Sequence, residues 1–274
     1  MSYKDLELIS AAKNLREEAG INLMSPIGDI TQLVFDLGHD LVENDFGDDF
    51  SATCMTINGI KFTIALNTSQ MWNENFRRFT VAHELGHISL VQHHAEMIRN
   101  GGLLKSKAEF QSNSVIEREA DKFAINFLAP VGLFKKEIEN LELTYSSLSN
   151  LGNIFGISLL SCAFRFVELT DLCCSLIIFD GSTQKIKYEI RSGLMKQYNK
   201  HPYLQGWYAP EQGSVTRLLA KPLGYDINDQ IVELNEYYQN MRVSIRCNES
   251  VFKLGYNNTV MVLLSALDDP EDLI

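Results

Sequence analysis

The sequence predicts an α+β fold: helices with a small sheet in the N-terminal part, a helical middle, and an α/β region at the C-terminal end. Three observations carry this. SATCMTI and KFTIALN flank Asn58-Gly59, a dipeptide that marks a hairpin. Apolar residues recur at helical spacing from about Asn75 into the nineties and again from Val115 to Leu128. From Cys173 the pattern changes to strand-like runs, CSLIIFD, KIKYEIRS across Gly181-Ser182, and TVMVLLSAL. A chain of 274 residues holds more than one domain, and boundaries are expected at 1–132, 133–170 and 171–274.

In chain order, residues 4–18 place Leu6, Ile9, Ala12 and Leu15 on a helical stripe, with Gly20 as the stop. Pro26 precedes a short helix through Ile30, Leu33 and Val34. Residues 36–49 hold Asp36, Asp40, Glu43, Asp45, Asp48 and Asp49 without the ligand spacing of an EF-hand, so a solvated acidic loop is expected. LLKSKAEF and QSNS are expected to form a loop between the two long helical patterns. The second of these stops at Pro130, and residues 133–168 are expected to be mostly helical.

The net charge is −11 and both halves of the chain are acidic, so neither half looks like a surface for nucleic acid or anionic lipid, which needs a concentrated positive face. The cysteines, Cys54, Cys162, Cys173, Cys174 and Cys247, are odd in number and contain no CxxC, which argues against a disulfide framework and a thiolate zinc site. The N-terminus carries acids where a secretory signal needs a basic region, and no apolar run approaches the ~20 residues of a membrane span. A cytoplasmic protein is expected.

The chemistry concentrates in FTVAHELGHISL, residues 79–90. His83 and His87 are four apart, so a helix stacks them on one face, where two imidazoles can bind one Zn2+. Glu84 lies beside them, placed to act as general base on a zinc-water nucleophile without being a ligand. Gly86 costs helix stability, and its missing side chain would let another segment approach. A hydrolytic zinc needs a third ligand. In IEREADKFAINFLAP, residues 116–130, Glu117 and Asp121 flank the stripe Ile116, Ala120, Phe123, Ala124, Phe127 and Leu128. Glu117 is the candidate third ligand, and Asp121 the candidate acceptor for the free ring nitrogen of His83 or His87. Glu119 is a rival ligand but points to another face. His93 and His94 could extend the metal site or help stabilise an oxyanion, but are expected as exposed helix-end residues. No GxSxG, P-loop or dinucleotide-binding glycine pattern competes.

RFTVAHELGH (78–87) and EREADKFAINFLAP (117–130) resemble the ImmA/IrrE family of zinc metallo-endopeptidases. The likeness covers Arg78, Phe79, Thr80, Ala82, His83, Glu84, Leu85, Gly86 and His87, then Glu117, Ala120, Asp121, Phe123, Ala124, Leu128 and Pro130. Ala129 departs from the family's usual methionine but is not a ligand position. The resemblance implies zinc ligands at His83, His87 and Glu117 and catalytic Glu84. It also implies a minimal zincin (thermolysin-like) domain over 1–132, in which an edge strand, expected in KFTIALN, pairs with an extended substrate. It implies a protein substrate too, a helix-turn-helix repressor of the Xre type.

Residues 148–169 resemble the helix-turn-helix-like segment that follows such domains, the likeness resting on FGIS. Arg165 is its one basic residue, balanced by Glu168, so direct nucleic-acid binding is not expected. Residues 171–274 are expected to be a GAF-like sensory domain, with Trp207, Tyr208 and Tyr203 either lining a pocket or, by default, packing in its core. The leading reading is a zinc endopeptidase acting on a regulatory protein. The alternative is a non-catalytic zinc-containing regulator that binds and sequesters a repressor.

Overall fold

The computed structural model describes residues 3–47, 50–70, 73–106, 114–198, 204, 206–210, 213–221, 226–238, 245–254 and 258–267. The fold is mixed α and β. The chain divides into two compact units: Met1–Glu137 with Leu151–Ser161, and Ile138–Asn150 with Cys162–Ile274. No single helix among the described residues is long and apolar enough to cross a membrane.

In the first unit, α1 (Tyr3–Glu18) ends where Gly20 takes φ +67°. Its buried stripe is Leu8, Ala12 and Leu15; the expected Leu6 is exposed. Arg16 is fully buried, its guanidinium donating to the carbonyls of Phe127 (2.6 Å), Asn22 (3.1 Å) and Ser25. Helix α2 (Ile30–Asp36) starts at Asp29, whose carboxylate accepts from the Thr31 and Gln32 amides. It buries Ile30, Leu33 and Val34 as the sequence predicts.

Four strands follow: β1 (Asp40–Asn44), β2 (Ala52–Thr56), β3 (Phe62–Asn67) and β4 (Leu103–Ser106), in the order β1-β3-β2-β4. β1 runs parallel to β3, and β2 is antiparallel to β3 and β4. The β2–β3 turn forms at Asn58-Gly59, with Gly59 at φ +71° and the Asn58 side chain accepting from the Ile60 and Lys61 amides.

Three expectations are corrected here. The acidic stretch contains a strand, β1, because an edge strand pairs on one side only and tolerates exposed acids; Glu43 is held by Arg77 of the following helix at 3.1 Å. The loop expected at LLKSKAEF begins with β4. KFTIALN, as β3, lies inside the sheet with both edges paired, so it cannot receive a peptide; β1 and β4 are the edges. Asp48, Asp49 and most of KAEF and QSNS lie outside the described residues.

Helix α3 (Glu74–Ser89), capped by Asn73 onto the Phe76 amide at 2.9 Å, lies against β2 and β3. One continuous helix into the nineties is not formed. Leu90 is extended (φ −92°, ψ 103°) and a separate α4 (Val91–Arg99) follows. Helix α5 (Val115–Leu128) crosses α3 where Gly86 sits: a Cβ there would meet the Phe123 ring at 3.0 Å, so the glycine permits close approach. Helices α6 (Val131–Ile138), α7 (Tyr145–Phe155) and α8 (Leu159–Leu169) make the middle helical, as expected. α7 and α8 are bent by 103° about Gly156, whose φ of +61° lies against the Arg78 side chain. Arg165 is buried and paired with Glu168 at 2.8 Å.

The second unit is built on β5 (Cys174–Asp180), β6 (Lys185–Arg191), β7 (Asp226–Glu233), β8 (Arg246–Lys253) and β9 (Thr259–Ala266), with α9 (Gly193–Tyr198) and α10 (Ser214–Leu219). The order is β6-β5-β9-β8-β7, antiparallel throughout. Ile177, Phe179, Met195, Leu218, Tyr238 and Val262 form its core. Within it, Glu189 is paired with Arg191 and bonded by the Tyr238 hydroxyl. All five cysteines are buried thiols. Trp207 and Tyr208 are exposed, not core, and Tyr208 lies under Lys185 at 5.0 Å. Tyr203 lies outside the described residues.

Candidate metal centre

One turn of α3 stacks His83 and His87 on its buried face, with 5% and 0% of their surface exposed. Their Nε2 atoms are 3.0 Å apart. α5, brought close at Gly86, supplies Glu117, whose two carboxylate oxygens lie 3.4 Å from His83 Nε2 and 3.3 Å from His87 Nε2. One ligand atom from each of the three falls within 4.8 Å of the others. The three residues singled out by spacing therefore converge on one point.

The outer ring nitrogens are engaged elsewhere. His83 Nδ1 lies 2.8 Å from Asp121 Oδ1, one turn along α5 from Glu117. A carboxylate only accepts, so Nδ1 carries the hydrogen and Nε2 faces the cluster. His87 Nδ1 lies 2.9 Å from His93 Nδ1. His93 is fully buried, contrary to the exposed helix end expected of it, and His94 is half-buried with its Nε2 donating to the Ile88 carbonyl at 2.6 Å. The break at Leu90 is the cause, because it turns α4 back against α3. ISLV, residues 88–91, contains no glycine or proline to announce that break. Glu119 does face away from the cluster, as expected, and contacts His93 instead at 3.1 Å.

Electrostatics marks the point as a place for a cation. Burial disfavours charge on His83, but the hydrogen bonds to Asp121 and Glu117 outweigh it and raise its pKa to about 10. Burial dominates at His87 and pushes it down to about 4. Burial opposes ionisation of Glu117 too, yet the two imidazoles hold its carboxyl down to about 2. Two ring nitrogens and a carboxylate thus crowd around a single proton. The donor set, two imidazoles and one carboxylate with the outer nitrogens already bonded, could hold a metal ion and is of a kind that suits zinc.

Glu84 is fully buried one residue beyond His83. Burial, and after it the charge of Glu84, pushes the Cys54 thiol of β2 up, and the same charge favours protonation of His83.

Residues 36–167 match the family model of the IrrE N-terminal-like domain, Peptidase_M78. Residues 36–167 form a domain of the ImmA/IrrE family. The ImmA/IrrE match runs from the end of α2 into α8 and contains every residue of the cluster. The fold is also similar to that of a solved Mycobacterium tuberculosis transcriptional regulator, with a TM-score of 0.58 and 15% identity over 98% of this chain and 79% of that one. At that identity the likeness is one of fold. No curated protein matches the chain.

Proposed function

We infer that residues 1–132 act as a zinc endopeptidase of the minimal thermolysin-like kind. The observation that carries this is the convergence of His83 Nε2, His87 Nε2 and the Glu117 carboxylate, all within 3.4 Å, beside a buried Glu84. Zinc, when bound, supplies polarisation of the attacking water and of the scissile carbonyl. Glu84 takes the proton from that water and passes it to the leaving amine, so one peptide bond is exchanged for a carboxylate and an amine. Asp121 holds His83 in the tautomer that ligates.

A protein substrate reaches such a site by adding a strand to a free sheet edge. β4 is the edge we favour, because its neighbour β2 packs against α3, the helix that carries His83, Glu84 and His87. The substrate class is a helix-turn-helix repressor of the Xre type, as the resemblance implies. In this reading 133–170 is a packing module: α8 has no exposed basic residue, since Arg165 is buried. Residues 171–274 serve as a GAF-like sensory domain, supported by the antiparallel order β6-β5-β9-β8-β7. Five buried thiols suit a cytoplasmic setting.

A second reading is favoured by the likeness of fold to a solved transcriptional regulator. In it the zinc-containing fold grips and sequesters a repressor without cutting it. Glu84→Gln separates the two. Proteolysis predicts that cleavage of a co-expressed repressor stops while zinc stays bound; sequestration predicts that de-repression continues unchanged.

A further inference from the structure

His83 has an evident anchor in Asp121. His87 has none of that kind: its outer nitrogen meets another imidazole. From His87 Nδ1 the contacts run 2.9 Å to His93 Nδ1, then from His93 Nε2 3.1 Å to Glu119 Oε2. Glu119 meets Lys4 Nζ at 3.3 Å and Gln92 Nε2 at 3.4 Å. His93 is fully buried, and its ring centroid lies 4.9 Å from that of His87.

With both imidazoles neutral, these contacts allow one consistent placement of hydrogens. The Glu119 carboxylate only accepts, so His93 Nε2 carries a hydrogen. Neutral His93 then has a bare Nδ1, which accepts from His87 Nδ1. His87 is left with its Nε2 lone pair turned on His83 and Glu117. Reversing any one hydrogen puts a hydrogen on His87 Nε2 and withdraws that ligand.

We propose that His93, anchored by Glu119, is the positioning residue that fixes His87 as a metal ligand. An apolar side chain would fill the same space, but it would not select a tautomer. The inference rests on the zinc reading above. It adds a relay of imidazole and carboxylate on His87, where His83 has a carboxylate directly.

The test is zinc affinity of the full chain, measured by competition with a chromophoric chelator, for the unaltered protein and for His93→Leu, His93→Asn and Glu119→Ala. Loss of an outer partner typically weakens metal binding about 10–100-fold, and His93→Leu is expected in that range. His93→Asn, whose Oδ1 takes the place of Nδ1 as acceptor, is expected to recover most of the loss. Glu119→Ala is expected to fall between, because it frees the tautomer of His93. Absorption of the cobalt(II)-loaded protein, which reports ligand geometry, should change in the Leu variant and revert in the Asn variant. Unchanged affinity in folded His93→Leu, or equal losses for Leu and Asn, overturns the proposal. Should His93→Leu not fold, unchanged affinity in Glu119→Ala overturns it. An unaltered protein that takes up no zinc overturns the metal reading and this one together, whereas tight zinc binding indifferent to position 93 overturns this one alone.

Discussion

His87 and His93 face each other Nδ1 to Nδ1 at 2.9 Å, although six residues along a straight helix would turn them about 120° apart. The extended Leu90 makes the contact possible, and α4 is buried at His93 and Met97 as a result. Both histidines proposed as ligands are thus tied at their outer nitrogens, His83 to α5 and His87 to α4. A bound ion would hold these helices together. Chelation is therefore expected to lower the unfolding temperature by several degrees, since a ligand at a thousand times its Kd contributes about 4 kcal/mol. His83→Ala should abolish both the zinc, about one per chain, and the shift. Calorimetry with and without chelator measures this, and an identical curve in both would sink the metal reading.

Asp121 touches no proposed open position, yet it bonds His83 Nδ1 at 2.8 Å. Asp121→Ala is expected to weaken zinc binding about 10–100-fold while leaving the fold intact. Circular dichroism and chelator competition on the same sample check both halves.

Metal uptake is expected to release protons at neutral pH. Without metal, His83 is protonated below about 10, because Asp121 and Glu117 outweigh burial. The loaded site cannot keep that proton, so binding expels about one, and apparent affinity rises about tenfold per pH unit until pH 10 is approached. His87, pushed by burial down to about 4, releases none above that pH. The same His83 proton stabilises the metal-free fold: its contribution is complete below the ordinary 6.5 and is lost as pH rises through about 10. Titration calorimetry in buffers of different ionisation heat counts the protons, and none released at pH 7 would contradict the charge state assigned here.

Gly86→Ala sets two effects against each other. Alanine gains about 1 kcal/mol in helix propensity, but its Cβ would meet Phe123 at 3.0 Å, and overpacking costs about 1–3 kcal/mol. Stability should change by less than about 2 kcal/mol. Zinc affinity should fall clearly, because relief of the contact moves Glu117 away from α3. A variant that keeps full affinity would show that the crossing of α3 and α5 tolerates more room.

In the second unit, Arg191→Met strands the buried Glu189 with only the Tyr238 hydroxyl and the Leu204 amide. Removing one partner of a buried ion pair costs about 3–5 kcal/mol. Urea denaturation should show that loss, and the double variant Arg191→Met, Glu189→Leu should recover most of it. Little loss in the single variant would mean that solvent reaches Glu189.

The hairpin at Asn58-Gly59, the helices α3 and α5 and the His83–His87 pair were legible because each rests on local geometry: a turn that needs φ > 0, or a repeat of 3.6 residues. The edge strands β1 and β4 were not, because a short edge strand is defined by its partner rather than by its own alternation. β7 was missed for a related reason. The register shifts between Ile227 and Gln230, which breaks the period-two pattern that a sequence reading depends on.

By itself, then, the sequence determined which side chains share one helical face: His83 with His87, and Glu117 with Asp121. Backbone periodicity decides that without reference to anything distant. The tertiary structure alone decided that these two faces meet across Gly86 and Phe123, and that the chain leaves the helix at Leu90 to bring His93 and Glu119 behind His87. Both depend on packing between segments far apart in the chain: Gly86 announces a close approach without naming its partner, and residues 88–91 hold no glycine or proline to announce the break at Leu90.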